Sequence, residues 1–350
     1  MNQPATIKID YFQQILENNI ETLEKKESFK LICGASLTSP SIIEGLSMLY
    51  SIAGASFIDI TPARPAIQSA LKGIQKAKKI FEDNPKKYCY FNEPSLMLSL
   101  NIDDDHHFNT AYIDSNVCNG CQQCIPECSF GAIILMKPGT GISIDDNICY
   151  GCGNCTSKCP SSAISLVKNV VDLETVLTKL IDSSITGLEI HAGTSSIDDI
   201  CKYYKKVASK LENTTLENML FSFSLESALY NANEFVDYAN TISSLTTRKA
   251  VIQVDGTPMS GNTSPASSLQ SLASGQILIK NNVNAYIQLA GGINHLTKKH
   301  INTFGIDSNG IAMGTFARKI VWPYLQNLDD NRVFEKAQRI ATNLVKQLAF

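Results

Sequence analysis

The chain has 350 residues, 44% of them apolar and 18% charged, with a formal net charge of −3 and a pI near 6.0. That apolar share supplies a core for one large α/β domain or two smaller ones, and the lack of a basic field excludes charge-driven binding to nucleic acid or an anionic membrane. No stretch is suited to membrane insertion, and the polar N-terminal segment with Asp10, Glu17, Glu21 and Glu24 lacks the marks of a leader, so a reducing, cytoplasmic setting is expected and the 11 cysteines are not a disulfide framework.

Residues 1–28 read as an N-terminal helical extension, with helical spacing over about 8–27. Strand–helix alternation then begins. "FKLICGAS" (29–36) is a short apolar run that ends near Cys33, a small buried hydrophobe. "PSIIEGLSMLYSIAG" follows at helical spacing and stops at Gly54. "SFIDITP" (56–62) is a second strand, carrying Asp59; "RPAIQSALKGIQKAKKIFEDN" is a second helix. "SLMLSLNI" (95–102) is a third strand with Asn101 near its end. Residues 29–102 thus form the first part of a larger α/β unit.

A different segment interrupts this order at about 103–168. "CNGCQQCIPECSFGAI" starts at Cys118 and "CYGCGNCTSKCPSSAI" at Cys149, both with C-x2-C-x2-C-x3-C spacing. The doubled run is the two-cluster ferredoxin pattern and implies two [4Fe–4S] clusters. Three thiolates two residues apart can reach three iron corners from one tight turn. The fourth cysteine of each run serves the other cluster. Cys118, Cys121, Cys124 and Cys159 are therefore expected on one cluster, and Cys149, Cys152, Cys155 and Cys128 on the other. Zinc sites more often show two separated C-x2-C pairs. Pro160 follows the second run, whereas Ser129 stands at the matching place in the first. A proline there shapes the chain's exit and is not a ligand, so Ser129 should alter rigidity more than binding. His106 and His107, just upstream, read as solvated loop residues.

Alternation resumes over 169–350. "DLETVLTKLIDSS" reads as a helix, and strands follow at 186–193 with His191, 219–227 with Glu226, 249–257 with Asp255, 284–293 and 310–319, each trailed by a helix. About eight strand–helix units argue for a (β/α)8 TIM-like barrel over an open doubly wound sheet. The ferredoxin-like segment falls after the third strand, in a βα-loop. Such loops gather at the barrel mouth, so the clusters should sit over it.

Strand-end residues Asp59, Asn101, His191, Glu226 and Asp255 are candidates to line that mouth, although each could equally be a cap or a satisfied core-edge group. Gly291, Gly292, Gly314 and Thr315 fall at the loops after the seventh and eighth strands, where barrels bind phosphate through backbone N–H groups, and Arg318 could add charge. FMN or another phosphate-bearing ligand would suit that place. The same glycines also serve plain tight turns. The loop "DGTPMSGNTSP" (255–265) is placed to line the mouth. Trp322 with Pro323 and Tyr324 reads as a packing wedge. No Ser–His–Asp set, P-loop or paired-carboxylate signature is present.

"FKLICGAS", "YSIAGASFIDITPARPAI", "CYGCGNC", "QVDGTPMSG" and "QLAGGINHLT" together resemble the cyanobacterial light-dependent period (LdpA) family, over about residues 29–320. The resemblance implies an iron–sulfur redox protein that feeds redox state, and so light, to the circadian clock, with clock-input proteins or redox carriers as partners. Three readings follow: a redox sensor, an iron–sulfur flavin oxidoreductase using the glycine loops, or a plain electron carrier on a structural barrel.

Overall fold

The protein is described by a computed structural model covering residues 5–102, 108–136, 141–168, 173, 174, 176, 184–212, 214, 218–256, 264 and 266–349. His106, His107, most of the helix expected at 172–184 and residues 257–263 of the long loop lie outside the described residues.

Eight strands close into a parallel barrel. In chain order they are β1 (Ser28–Gly34), β2 (Phe57–Ile60), β3 (Ser95–Asn101), then β8 (Ile185–His191), β9 (Leu220–Glu226), β10 (Val251–Asp255), β11 (Tyr286–Ala290) and β12 (Gly310–Met313). The four strands numbered between these belong to the insertion: β4 (Asn109–Ile113), β5 (Ile133–Leu135), β6 (Ile142–Ile144) and β7 (Ile164–Lys168). The barrel order is β1-β12-β11-β10-β9-β8-β3-β2. β3 pairs directly with β8, with Asn101 opposite His191, across the whole insertion.

Helices wrap the barrel. α2 (Pro40–Ala53) and α3 (Arg64–Asp83) start on proline in their first turn, where no backbone N–H is needed. They pack so closely that a Cβ on Gly73 would stand 2.3 Å from the Glu44 carbonyl oxygen. The eighth strand is shorter than expected. It stops at Met313, and Thr315–Val321 is already a helix, so Arg318 projects from a helix rather than from the strand. A last helix, Asn331–Ala349, lies against α2.

Within the barrel strands the residues divide between two faces. Phe29, Leu31 and Cys33, Ile58 and Ile60, Leu188 and Ile190, and Ile252 and Val254 join one apolar cluster with the helices. The inward positions at the N-terminal end are apolar. There Phe57, Met97, Leu220, Val251 and Tyr286 form a floor, closed from beneath by Leu16, Ile20 and Leu23 of α1 (Ala5–Glu24). The N-terminal helix is thus a plug on the barrel. Leu16→Ala should open a cavity under the floor and lower unfolding free energy by about 2–5 kcal/mol, read from urea unfolding of anaerobic protein.

Candidate functional site

The insertion carries its internal repeat into three dimensions. Each run is entered by an Asp-x-Asn-x-Cys turn. Asp114 and Asp145 accept from the backbone N–H of Asn116 and Asn147, both at 2.9 Å. Their carbonyls accept from the N–H of Cys118 and Cys149, at 3.0 and 2.9 Å. Left-handed backbone recurs at matching places: Gly120 and Gln122 in the first run, Gly151 and Gly153 in the second. These positive φ angles coil the loop tightly around its first three cysteines.

Two hydrogen bonds then cross the runs. Asp114 N–H donates to the Ala163 carbonyl at 2.9 Å, and Asp145 N–H to the Ala132 carbonyl at 2.7 Å. The entry of each run is thereby tied to the exit of the other, and the fourth cysteine of each run is carried to the partner triplet. Beside Cys124, burial pushes the thiol pKa up and Cys121, Cys118 and Cys159 add to it. Beside Cys155, burial and then Cys152, Cys149 and Cys128 push it up to about 12. Cys159 is thus a neighbour of the first three thiols, and Cys128 of the second three.

The second quartet lines a pocket whose other walls include Ala111, Ile133, Ile144, Ile148, Phe130 and Tyr150. Among the described residues, no three His, Cys, Asp or Glu side chains close on a single metal ion. Thiols ringing an apolar pocket suit a polynuclear cluster instead. Backbone N–H groups already point at the sulfurs: Ala111 to Cys149, Ala132 to Cys128 and Ala163 to Cys159, each at 3.2 Å. Such donors set the potential of a cluster. Ser129 leaves the exit turn intact. Gly131 N–H reaches the Cys128 carbonyl at 3.1 Å, as Ser162 N–H reaches that of Cys159 at 3.2 Å after Pro160.

The insertion is seated on the C-terminal end of the barrel. Thr38 and Ser39, beyond β1, both donate backbone N–H groups to the Asn147 carbonyl, at 3.1 and 3.0 Å. Ser36 Oγ donates to the Asn109 carbonyl. Phe108 meets the His191 ring edge-on at 5.3 Å. Arg318 makes a second kind of link between the parts. Its guanidinium lies 4.4 Å from the Tyr150 ring and 5.1 Å from the Phe130 ring, and Nη1 donates to the Cys33 carbonyl at 3.0 Å. Burial pushes its pKa down, while Tyr150, Cys33 and Cys152 pull it back. Trp322 packs edge-on against Phe130 at 4.6 Å.

Arg318 is therefore spent on the seam with the insertion, not offered to an open anion site. Gly291 and Gly292 sit where chains nearly touch: added Cβ atoms would lie 2.4 Å from Gly256 N and 2.1 Å from the Ser267 carbonyl oxygen. These glycines serve the tight turns. Gly314 and Thr315 begin the short helix that bears Arg318, and Arg318 Nη2 reaches Thr315 Oγ1 at 3.5 Å.

Of the mouth candidates, Asn101, His191, Glu226 and Asp255 do close their strands, and Asp255 accepts from Gln253 Nε2 at 3.1 Å and from Ser224 Oγ. Asp59 lies deeper. It accepts from Ser99 Oγ at 2.8 and 2.9 Å, and burial and Glu189, against Lys30, His191 and Ser99, raise its pKa to about 6. Next to it Lys30 and Glu189 form an ion pair at 2.6 Å with side chains 1% and 0% exposed. Sequence reasoning passed over Lys30, Glu189, Ser99 and Gln253. Their signal was present as polar residues at every second strand position.

Comparison with known proteins agrees with this geometry. Residues 117–164 match the 4Fe-4S dicluster domain, and residues 179–349 match the Light dependent period A C-terminal domain. "Light dependent period A" from Synechococcus elongatus is 29% identical over 306 residues, 79% of this chain and 73% of that protein. The chain is a homologue of Light dependent period A. The LdpA resemblance read from the sequence holds, and the protein is an iron–sulfur protein of ferredoxin type. Among solved structures, the YdjI aldolase from Escherichia coli K12 superposes with a TM-score of 0.50 at 7% identity, covering 95% of this chain and 96% of that one. At that identity the likeness shows the barrel fold alone. No helix among the described residues of this LdpA homologue is long and apolar enough to cross a membrane.

The buried pair gives a direct check on the barrel interior. Lys30→Met alone should cost about 3–5 kcal/mol by stranding Glu189, whereas the double variant with Glu189→Leu should recover most of it. Denaturant unfolding of the three proteins measures both numbers.

Proposed function

We propose that this protein is a redox sensor with two [4Fe–4S] clusters, Cys118, Cys121, Cys124 and Cys159 holding one and Cys149, Cys152, Cys155 and Cys128 the other, within a ferredoxin-like unit of about residues 103–168. The bound cluster supplies a one-electron change of charge. The observation that carries the reading is Arg318, a buried cation belonging to the barrel that stacks on Tyr150 and Phe130 beside Cys152. In a site this dry, one unit of charge near Cys152 is felt by the guanidinium far more strongly than in water. Arg318 also holds the Cys33 carbonyl at the end of β1. A change in its balance therefore reaches the rim of the barrel, where a protein partner can read it. A coupling of about 1–3 kcal/mol suffices for regulation. The name of the Synechococcus relative supplies the context: a light-dependent effect on a period. We accordingly assign the partners to clock-input proteins or redox carriers in the cytoplasm.

Anaerobic protein should carry about eight iron and eight sulfide per chain, with a broad brown absorption and no structured flavin bands. Flavin bands would favour the oxidoreductase reading. Cys159→Ser should remove or convert one of two electron paramagnetic resonance signals and leave the other. Arg318→Gln should lower the potential of one cluster by tens of mV, on the order expected for a lost neighbouring cation, and spare the second. Partners captured from oxidised and dithionite-reduced protein should differ. Identical sets would count against sensing.

A further inference from the structure

A (β/α)8 barrel ordinarily fills its centre with branched apolar side chains. Above the floor formed by Phe57, Met97, Leu220, Val251 and Tyr286, this one does not. The inward layer is Lys30, Asp59, Ser99, Glu189, Ser222, Gln253 and Gln288, every one of them buried. Packing alone does not account for that layer, because replacing a buried ion pair with apolar residues is often neutral or stabilising.

The hydrogen bonds of this layer leave a specific remainder. Glu189 gives Oε2 to Lys30 at 2.6 Å, and Oε1 has no partner. Gln253 gives its amide N–H to Asp255, which fixes the amide and leaves Oε1 without a partner. Gln288 Oε1 is likewise unpartnered. Three open acceptors thus come from β8, β10 and β11, on side chains 0%, 2% and 1% exposed. Each such atom destabilises the fold if left unsatisfied. Charge points the same way: among the described residues, Lys30 is paired with Glu189 while Asp59 stands beside that pair. Inward positions on the neighbouring wall are small, at Ala290, Ala312 and Gly314.

We propose that the barrel interior is a binding site for a small organic cation bearing a primary ammonium group, received by Glu189, Gln253 and Gln288 with Asp59 supplying charge. A primary ammonium has three donors and no acceptor, which matches three open acceptors in an acidic surround. Asp59 adds a pH signature. It is faced by Lys30 from β1, Ser99 from β3, and Glu189 and His191 from β8, and takes up its proton near pH 6. Binding therefore weakens as pH falls through 6, where one carboxylate is lost.

The site is independent of the redox reading and can be tested apart from it. Thermal melting and calorimetry of the full anaerobic chain, at pH 7.5 and constant ionic strength, would use methylammonium and ethylammonium chloride as probes. Tetramethylammonium and potassium chloride are the controls. Saturable stabilisation by the primary ammonium ions, absent with the controls, is expected. Gln288→Leu should fold at least as well, because it removes an unsatisfied acceptor, keep its cluster signals, and bind ethylammonium about tenfold or more weakly. Stabilisation equal to that by tetramethylammonium, no stabilisation at all, or unchanged affinity in Gln288→Leu would overturn the proposal. So would a crystal structure with ethylammonium present that shows only water on the three acceptors.

Discussion

Two backbone hydrogen bonds, from Asp114 N–H to the Ala163 carbonyl and from Asp145 N–H to the Ala132 carbonyl, set the geometry on which the iron–sulfur reading rests. They cross the two cysteine runs like the strands of a clasp. Without them each run would be a loop with three converging thiols and a stray fourth. With them Cys159 stands near the first three thiols and Cys128 near the second three. The preorganisation resides in amides and carbonyls, which is why Ser129 can stand in for proline without disturbing it.

The same segment is joined to the barrel by unlike contacts at each side. Toward β1 the link is polar, through Asn147 and the N–H groups of Thr38 and Ser39. Toward the last strand it is aromatic and cationic, through Trp322, Phe130, Tyr150 and Arg318. The polar side fixes position. The aromatic side places a full charge in a dry seam, where electrostatic effects are strongest.

Much of this was legible in the chain. The cysteine spacing is a direct imprint of cluster geometry, and the eight apolar runs are the imprint of strands covered by helices. The mouth position followed from where the insertion falls in the order. Less visible was what required distant residues to meet. Arg318 and Tyr150 are 168 positions apart, and nothing local marks a guanidinium that will lie on a ring. Phe130 and Tyr150 beside cysteines looked like ordinary loop aromatics. The polar interior was written plainly in "LFSFSLE" and "VIQVD", where alternate residues are polar. The anion site went astray for a simpler reason: glycine at a strand end is equally required where two backbones come within 2.1–2.4 Å of an added Cβ.

One feature of the neck between the two parts bears on how the molecule is built. β4 and β7, the first and last strands of the insertion, pair antiparallel, with Asn109 opposite Lys168. The segment therefore leaves and re-enters the barrel through adjacent points. To the growing chain, bringing β3 and β8 together then resembles closing an ordinary crossover between parallel strands, because the neck has already drawn the ends of the detour together. Ribosomal synthesis can finish the enclosed module first, and cofactor insertion there need not wait for the last five strands of the barrel to emerge.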